Sequence, residues 1–369
     1  MNRVHFYLPT DVYEGDGCVA RQAEAWVLGR KALIVTGRHG AERSGALADV
    51  VAALEARRAA WVHFDGIGEN PDDAQVYAGA AVAQEAGCDF VVAVGGGSAM
   101  DAAKAIAWVV ASRIEREAFF AEKPQPEDAA LPIVAVPITC GTGSEVTPYA
   151  IITHHAARTK VNVSGRQLFP RVALLDARYL ASLPDQVLCD TALDALSHAI
   201  EGAYSLRSDA FSLALALEAI GVIMPELLRL AHGSFVNRAR LHYGAMLAGM
   251  VIAQAGTGLV HAMGYPLTYY KGLPHGRANG VLLAGYLAFM GHSCPDRTEQ
   301  LLRAMGIEVP EELQALVDML FDRLASERET PTEDELMRFT REPLRLEVVR
   351  RYRTMPSPEE VMDIYRYGF

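Results

Sequence analysis

Four side chains in this sequence, Asp194, His198, His261 and His275, have the types and spacing to grip one metal ion. Asp194 and His198 stand four apart in TALDALSHAIEG, a stretch of helical periodicity. Residues so spaced lie on one helix face, one turn above the other. His261 in GLVHAMGYPL and His275 in GLPHGRANG add two imidazoles. One carboxylate with three imidazoles suits Fe(II) or Zn(II), because thiolates are absent and imidazole dilutes the hard-oxygen character that Mg or Ca prefer. Four protein ligands make a closed shell, so catalysis at such an ion needs the shell to expand or one ligand to loosen. Glu201, seven after Asp194, is either a group that orients a ligand histidine or a solvated helix residue.

The elements that would position these residues change character along the chain. Up to about residue 180, short β-branched runs alternate with helical stretches: KALIVTG, WVHFDGI, FVVAVGGGS, LPIVAVPIT and VALLDA. Brief runs that are apolar almost throughout are strands buried on both faces, and strand–helix alternation implies a parallel sheet. From SLPDQVL onward the pattern becomes long and helical. The expected architecture is an α/β nucleotide-binding domain with a parallel sheet over residues 1–180. An all-helical metal-binding domain over 181–369 follows it.

Two glycine loops follow strands in the first half. VVAVGGGSAMD places Gly95, Gly96, Gly97 and Ser98 between a buried strand and a helix. Glycines there permit positive φ and close backbone approach, and the helix start offers free N–H groups to a diphosphate. Asp101 opens that helix, as a cap or as a hold on a ribose or amide. PITCGTGSE supplies a second loop, in which Thr139 and Thr142 can bind a cofactor amide or phosphate. Lys160, in RTKVNVS, is a candidate cation for a diphosphate or ribose and also reads as a surface lysine.

Composition narrows the function. With 51% hydrophobic and 21% charged residues the 369-residue chain reads as a compact globule, and its net charge of −11 disfavours nucleic-acid binding. Five scattered cysteines without a CxxC pair point to a reduced, cytoplasmic setting. No apolar run of membrane length is evident, and no membrane partner is expected.

The order GGGSAMD, PITCGTGSE, Asp-x-x-x-His and PHG resembles the iron-containing (group III) alcohol dehydrogenase family, over nearly the whole chain. The resemblance implies Asp194, His198, His261 and His275 as metal ligands, with Fe(II) expected and Zn(II) possible. It implies Asn70, Gly96, Gly97, Ser98, Thr139, Thr142 and Lys160 around a nicotinamide cofactor. It also implies a small alcohol or aldehyde substrate and a homodimer or higher homo-oligomer. Ala99, Ile138 and Cys140 are mild departures from its motifs. Tyr265 is a larger one, standing where many members carry a histidine thought to relay the alcohol proton. That leaves Tyr265, water or a cofactor ribose hydroxyl as the proton path.

NAD-preferring members tend to carry Asp after the first strand, where Gly37 and Arg38 stand here. Losing the carboxylate and gaining a guanidinium favours a 2′-phosphate, hence NADP(H) over NAD(H). Two rival readings remain: a lyase of the dehydroquinate synthase type, which shares the architecture, and a non-catalytic nucleotide-binding relative.

Overall fold

The computed structural model describes residues 4–125, 127–157, 159–326, 330–346, 349, 350, 352 and 354–369. Contacts divide the chain into two compact units. One comprises Leu8–Thr139 and Gly143–Leu183; the other comprises Pro184–Phe369, the N-terminal stretch up to Tyr7 and the short segment Cys140–Thr142. Periodicity foresaw neither of these two short segments in the helical unit.

Among the described residues the α/β unit contains eight strands: β1 (Asp11–Glu14), β2 (Lys31–Gly37), β3 (Ala60–Ile67), β4 (Phe90–Gly95), β5 (Ile133–Pro137), β6 (Tyr149–His154), β7 (Thr159–Ser164) and β8 (Val172–Leu175). Six form a parallel sheet in the order β1-β8-β5-β4-β2-β3. The central strands β4 and β5 are buried along their whole length, as their unbroken apolar runs require. Alternate residues of β2, β4 and β5 feed two cores. Leu33, Val91, Ala93 and Ile133 meet Ile106 and Trp108 on one face; Ile34, Val92, Val94 and Val134 meet Trp26, Val50 and Leu54 on the other. The edge strand β3 is only partly covered.

Three strands have no signal in the sequence pattern. β1 (DVYE) and the antiparallel pair β6–β7 carry Thr, Asn, His and acidic residues, so they lack the apolar signature of buried strands. His154, read as a loop residue, ends β6 and stacks on Phe120 with ring centroids 4.0 Å apart.

The helical unit is built on three long helices, Asp185–Tyr204, Ala210–Ala231 and Arg238–Ala255, packed against one another. Ala210–Ala231 alone among the described helices is long and apolar enough to cross a membrane, which corrects the expectation that no such run exists. Half of its apolar window is buried in the unit, and it holds the buried Glu226, paired with Arg229 and Arg240. A core helix passes the same length test. Beyond Ala255 the chain turns through 111° into the helix Leu259–Lys271, with Gly256 at φ 77°. The short helix His275–Gly280 follows.

Candidate functional site

The helix Asp185–Tyr204 is buried from Leu188 onward except at Thr191, and it carries Asp190, Asp194, His198 and Glu201 along one side. Asp194 Oδ1 is the common point of the centre. His261 Nε2 and His275 Nε2 each lie 3.6 Å from it, and His198 Nε2 lies 3.8 Å away. Asp194, His261 and His275 offer ligand atoms all within 4.8 Å of one another, and His198 joins them through Asp194 and through its ring, stacked 4.7 Å from that of His261. Ligand atoms about 2.1 Å from one cation at tetrahedral angles stand about 3.4 Å apart. The observed spacing is close to that of a coordination shell and too long for hydrogen bonds.

Protonation supports the fit. Burial pushes His198 down to about 4, against the opposing pull of Asp194, so its imidazole is neutral near pH 7. Burial works against ionisation of Asp194, but His198, His275 and His261 and the Asn279 amide outweigh it and hold its pKa below the ordinary value. A carboxylate beside a neutral imidazole is the state that a metal ion requires.

Close helix packing delivers His275 to this point. A Cβ on Gly276 would sit 1.8 Å from the Asp190 carbonyl oxygen, and one on Gly280 would sit 2.8 Å from Leu193 Cδ1. The glycines, four apart, let the short helix lie directly on the Asp185–Tyr204 backbone. Arg277 locks that contact with two hydrogen bonds to the Asp190 carboxylate, at 3.0 and 2.9 Å. Asn279 Nδ2 donates to Asp194 Oδ1 at 3.0 Å and lies 3.3 Å from His275 Nε2. Asp190, Arg277 and Asn279 are site residues that no sequence motif singles out. The interval of four between His275 and Asn279 was the available signal.

Tyr265 lies one turn beyond His261, half-buried, its ring centroid 6.2 Å from that of His275 and nearly parallel to it. Burial, then the charges of Glu201 and Asp194, push its hydroxyl up to about 12.

In the α/β unit the other candidates gather at the C-terminal edge of the sheet. β3 and β4 lie on opposite sides of β2, so the chain changes direction there. Parallel sheets bind ligands at such switch points. Gly37 ends β2, with Arg38 exposed after it; Gly95 ends β4, and Gly96 precedes the helix Gly97–Ser112. That helix start has no side-chain cap, leaving first-turn N–H groups for a ligand.

None of Gly95, Gly96 and Gly97 has positive φ, contrary to one reason offered for the triplet. Close approach is the physical reason for the first two: a Cβ on Gly95 would meet Ala99 Cβ at 2.6 Å, and one on Gly96 would meet Thr139 at 3.2 Å. Asn70, Ser98 and Lys160 come together. Asn70 N donates to Ser98 Oγ at 3.3 Å, and Lys160 Nζ donates to Asn70 Oδ1 at 2.8 Å.

Asp101 faces the protein. Its oxygens accept from Ser144 Oγ at 2.7 Å and Ile151 N at 3.0 Å, so it braces the second loop instead of capping the helix. Lys104 supports the same loop from one turn further on, donating to Ser144 Oγ at 2.6 Å and the Tyr149 carbonyl at 2.8 Å. Burial disfavours charge here, lowering Lys104 to about 8 and raising the nearby Glu145 to about 7. Thr142 belongs with Cys140 and Gly141 to the helical unit, whereas Thr139 and Gly143 belong to the α/β unit.

Sequence models of the iron-containing alcohol dehydrogenase family match residues 9–177, and those of its C-terminal domain match residues 188–332. The chain is 33% identical over 281 residues to lactaldehyde reductase of Escherichia coli (strain K12), covering 76% of this chain and 73% of that one. It is 28% identical to an NADPH-dependent butanol dehydrogenase of Clostridium saccharobutylicum, over 89% of this chain and 85% of that one. Among solved structures, an iron-containing alcohol dehydrogenase from Thermotoga maritima superposes with a TM-score of 0.88 at 34% identity, covering 99% of both chains.

Proposed function

The chain belongs to the iron-containing alcohol dehydrogenase family, whose members are oxidoreductases acting on alcohols and aldehydes, and we propose that it moves hydride between NADP(H) and a primary alcohol or aldehyde at an Fe(II) or Zn(II) centre. The observation that carries this reading is the convergence of three imidazole nitrogens on Asp194 Oδ1 at 3.6–3.8 Å. Asp194, His198, His261 and His275 would hold the ion. When bound, it supplies Lewis acidity that favours the alkoxide of an alcohol and polarises the carbonyl of an aldehyde.

The remaining work falls to the chain itself. Asn279 keeps the Asp194 carboxylate turned inward, and the Arg277–Asp190 pair holds the short helix that bears His275. Tyr265 keeps its proton near neutral pH, which makes it a donor and a wall of the site; the substrate proton leaves through water or a ribose hydroxyl. Gly95–Ser98 and the helix behind them take the cofactor diphosphate, with Asn70, Lys160 and Thr139 alongside. Gly37 and Arg38 set the choice of cofactor: no carboxylate repels a 2′-phosphate, and a guanidinium is at hand to pair with it. The NADPH dependence in one relative's name points the same way. The five cysteines form no disulfide, and four of them are buried, which fits a reducing cytoplasm.

The test is anaerobic. The protein is stripped with chelator, Fe(II) or Zn(II) is restored separately, and oxidation of NADPH and NADH is followed with a panel of short aldehydes. Metal-restored turnover with NADPH preferred by about tenfold or more is the expected result, a difference of about 1.4 kcal/mol. Equal efficiency with both cofactors would refute the cofactor choice. Silence with every metal and both cofactors would refute the reaction, and turnover of substrate without net consumption of nicotinamide would favour the lyase.

A further inference from the structure

Glu201 is fully buried, on the same side of the Asp185–Tyr204 helix as Asp194 and His198. Each of its oxygens has a partner. Oε1 accepts from the backbone N–H of Val260 at 2.6 Å, and Oε2 lies 2.5 Å from His261 Nδ1. Val260 is the second residue of the Leu259–Lys271 helix, which starts after Gly258 with no side-chain cap of its own. A helix start leaves its first N–H groups without intrahelical acceptors, and Glu201 supplies one. The same carboxylate thus anchors the helix start and grips the histidine in its first turn.

We infer that Glu201 is a positioning residue that fixes His261 as the Nδ1–H tautomer and turns its Nε2 toward Asp194; the inference rests on the metal-centre reading above. Two donors face Glu201, the Val260 N–H and the His261 Nδ1–H, and only a side chain with two acceptor oxygens satisfies both. With the proton on Nδ1, the lone pair belongs to Nε2, the atom 3.6 Å from Asp194 Oδ1. A carboxylate on the remote ring nitrogen holds the ring in place and makes the ligating nitrogen more basic.

Glutamine has nearly the same shape with one acceptor and one donor. If its oxygen takes the Val260 N–H, its NH₂ faces Nδ1 and drives the imidazole proton to Nε2, which then cannot ligate. If its oxygen takes the Nδ1–H, its NH₂ abuts the Val260 N–H instead. Neither arrangement satisfies both neighbours.

The experiment measures Zn(II) affinity by competition with a chromophoric chelator for the full-length protein, Glu201→Gln, His261→Ala and the double variant, with thermal melts of each metal-free form. Glu201→Gln is expected to bind Zn(II) about 10–100-fold more weakly. The double variant is expected to bind no more weakly than His261→Ala alone, because the effect of Glu201 runs through that ring. Imidazole nitrogen NMR of the unsubstituted metal-free protein, with His261 assigned by its loss in His261→Ala, should place the proton on Nδ1. A proton found on Nε2 overturns the inference without any variant, so the test stands even if Glu201→Gln does not fold. Zn(II) binding by Glu201→Gln within about twofold of the unsubstituted protein overturns the inference alone. No Zn(II) binding by the unsubstituted protein overturns the metal-centre reading, and this inference with it.

Discussion

Gly276→Ala is the sharpest test of how the helical unit builds its centre. The added methyl would begin 1.8 Å from the Asp190 carbonyl oxygen, 2.7 Å from the carbonyl carbon and 3.1 Å from Asp194 Cβ. Backbone cannot yield as a flexible side chain does, so the short helix must move off the Asp185–Tyr204 helix by about 1.2 Å or more to restore tolerable contact. His275 rides on the helix that moves, one residue away. A separation of that size is several times the roughly 0.2 Å by which ligand distances vary at a working metal site. The Arg277–Asp190 pair, at 2.9 and 3.0 Å, would be stretched at the same time.

Overpacking of this kind costs about 1–3 kcal/mol, and stretching the buried ion pair adds to it. For a unit of this size that lowers the melting temperature by about 3–10 °C. The assays are metal content after purification, melting temperature with and without chelator, and NADPH-linked aldehyde reduction. We expect Gly276→Ala to lose most of its metal and its turnover while still binding NADPH. A variant that keeps metal, activity and melting temperature together would refute the argument that glycine at 276 sets the helix separation.

Other outcomes follow from the same residues. His275→Ala should lose metal and turnover with cofactor affinity changed by less than about twofold, read by NADPH fluorescence titration. Tyr265→Phe should keep at least about half of kcat, because a hydroxyl pushed up to about 12 is no base near neutrality; a hundredfold loss would make Tyr265 the proton relay. Gly37→Asp should lower kcat/KM for NADPH about tenfold and leave NADH little affected. Glu145 titrates near 7 in the folded chain against an ordinary 4.5, so the folded state holds the extra proton between those values. Its contribution is therefore present at low pH and is lost as pH rises through about 7. Thermal melts should show the wild type losing ground to Glu145→Gln between about pH 5 and about pH 8, and parallel pH profiles would count against the buried-carboxyl argument.

How far the sequence can be read depends on whether the information is local. β2, β4, β5 and β8 are legible because each is apolar almost throughout, and the long helices are legible from their period. β6 and β7 are not, because residues such as Thr153, His154, Lys160 and Asn162 belong to a partly covered hairpin with no apolar signature. Asp194 and His198 announce themselves by spacing on one helix, whereas their approach to His261 and His275 is a tertiary fact that residue chemistry suggests and that the motif resemblance strengthens. Asn279 and Arg277 escaped because their partners, Asp194 and Asp190, lie more than eighty residues away. The place of Asp101 near the helix start suggests a cap or a hold on a ribose or amide; what the sequence does not show is that Ser144 and Ile151 donate to its oxygens. The Gly95–Gly97 run is legible as glycine for close approach and φ freedom; none of the three has positive φ, and the crowding beside Gly95 and Gly96 comes from Ala99 and Thr139.

The short segment Cys140–Thr142 has a consequence for recombining such chains. It lies among α/β residues in sequence, yet it packs with the helical unit, where a Cβ on Gly141 would come within 2.7 Å of Thr191 and Cys140 Sγ lies 3.6 Å from Thr191 Oγ1. A chimera joined at Leu183–Pro184 would therefore bring the donor's loop onto the recipient's helix. Such hybrids should assemble only when residue 141 stays glycine and residue 191 stays small. The N-terminal stretch up to Tyr7 imposes a second matching condition, through its paired hydrogen bonds with Gln254. The gene halves are thus not interchangeable cassettes: three inheritances, at the start, at the loop and after residue 183, must travel together.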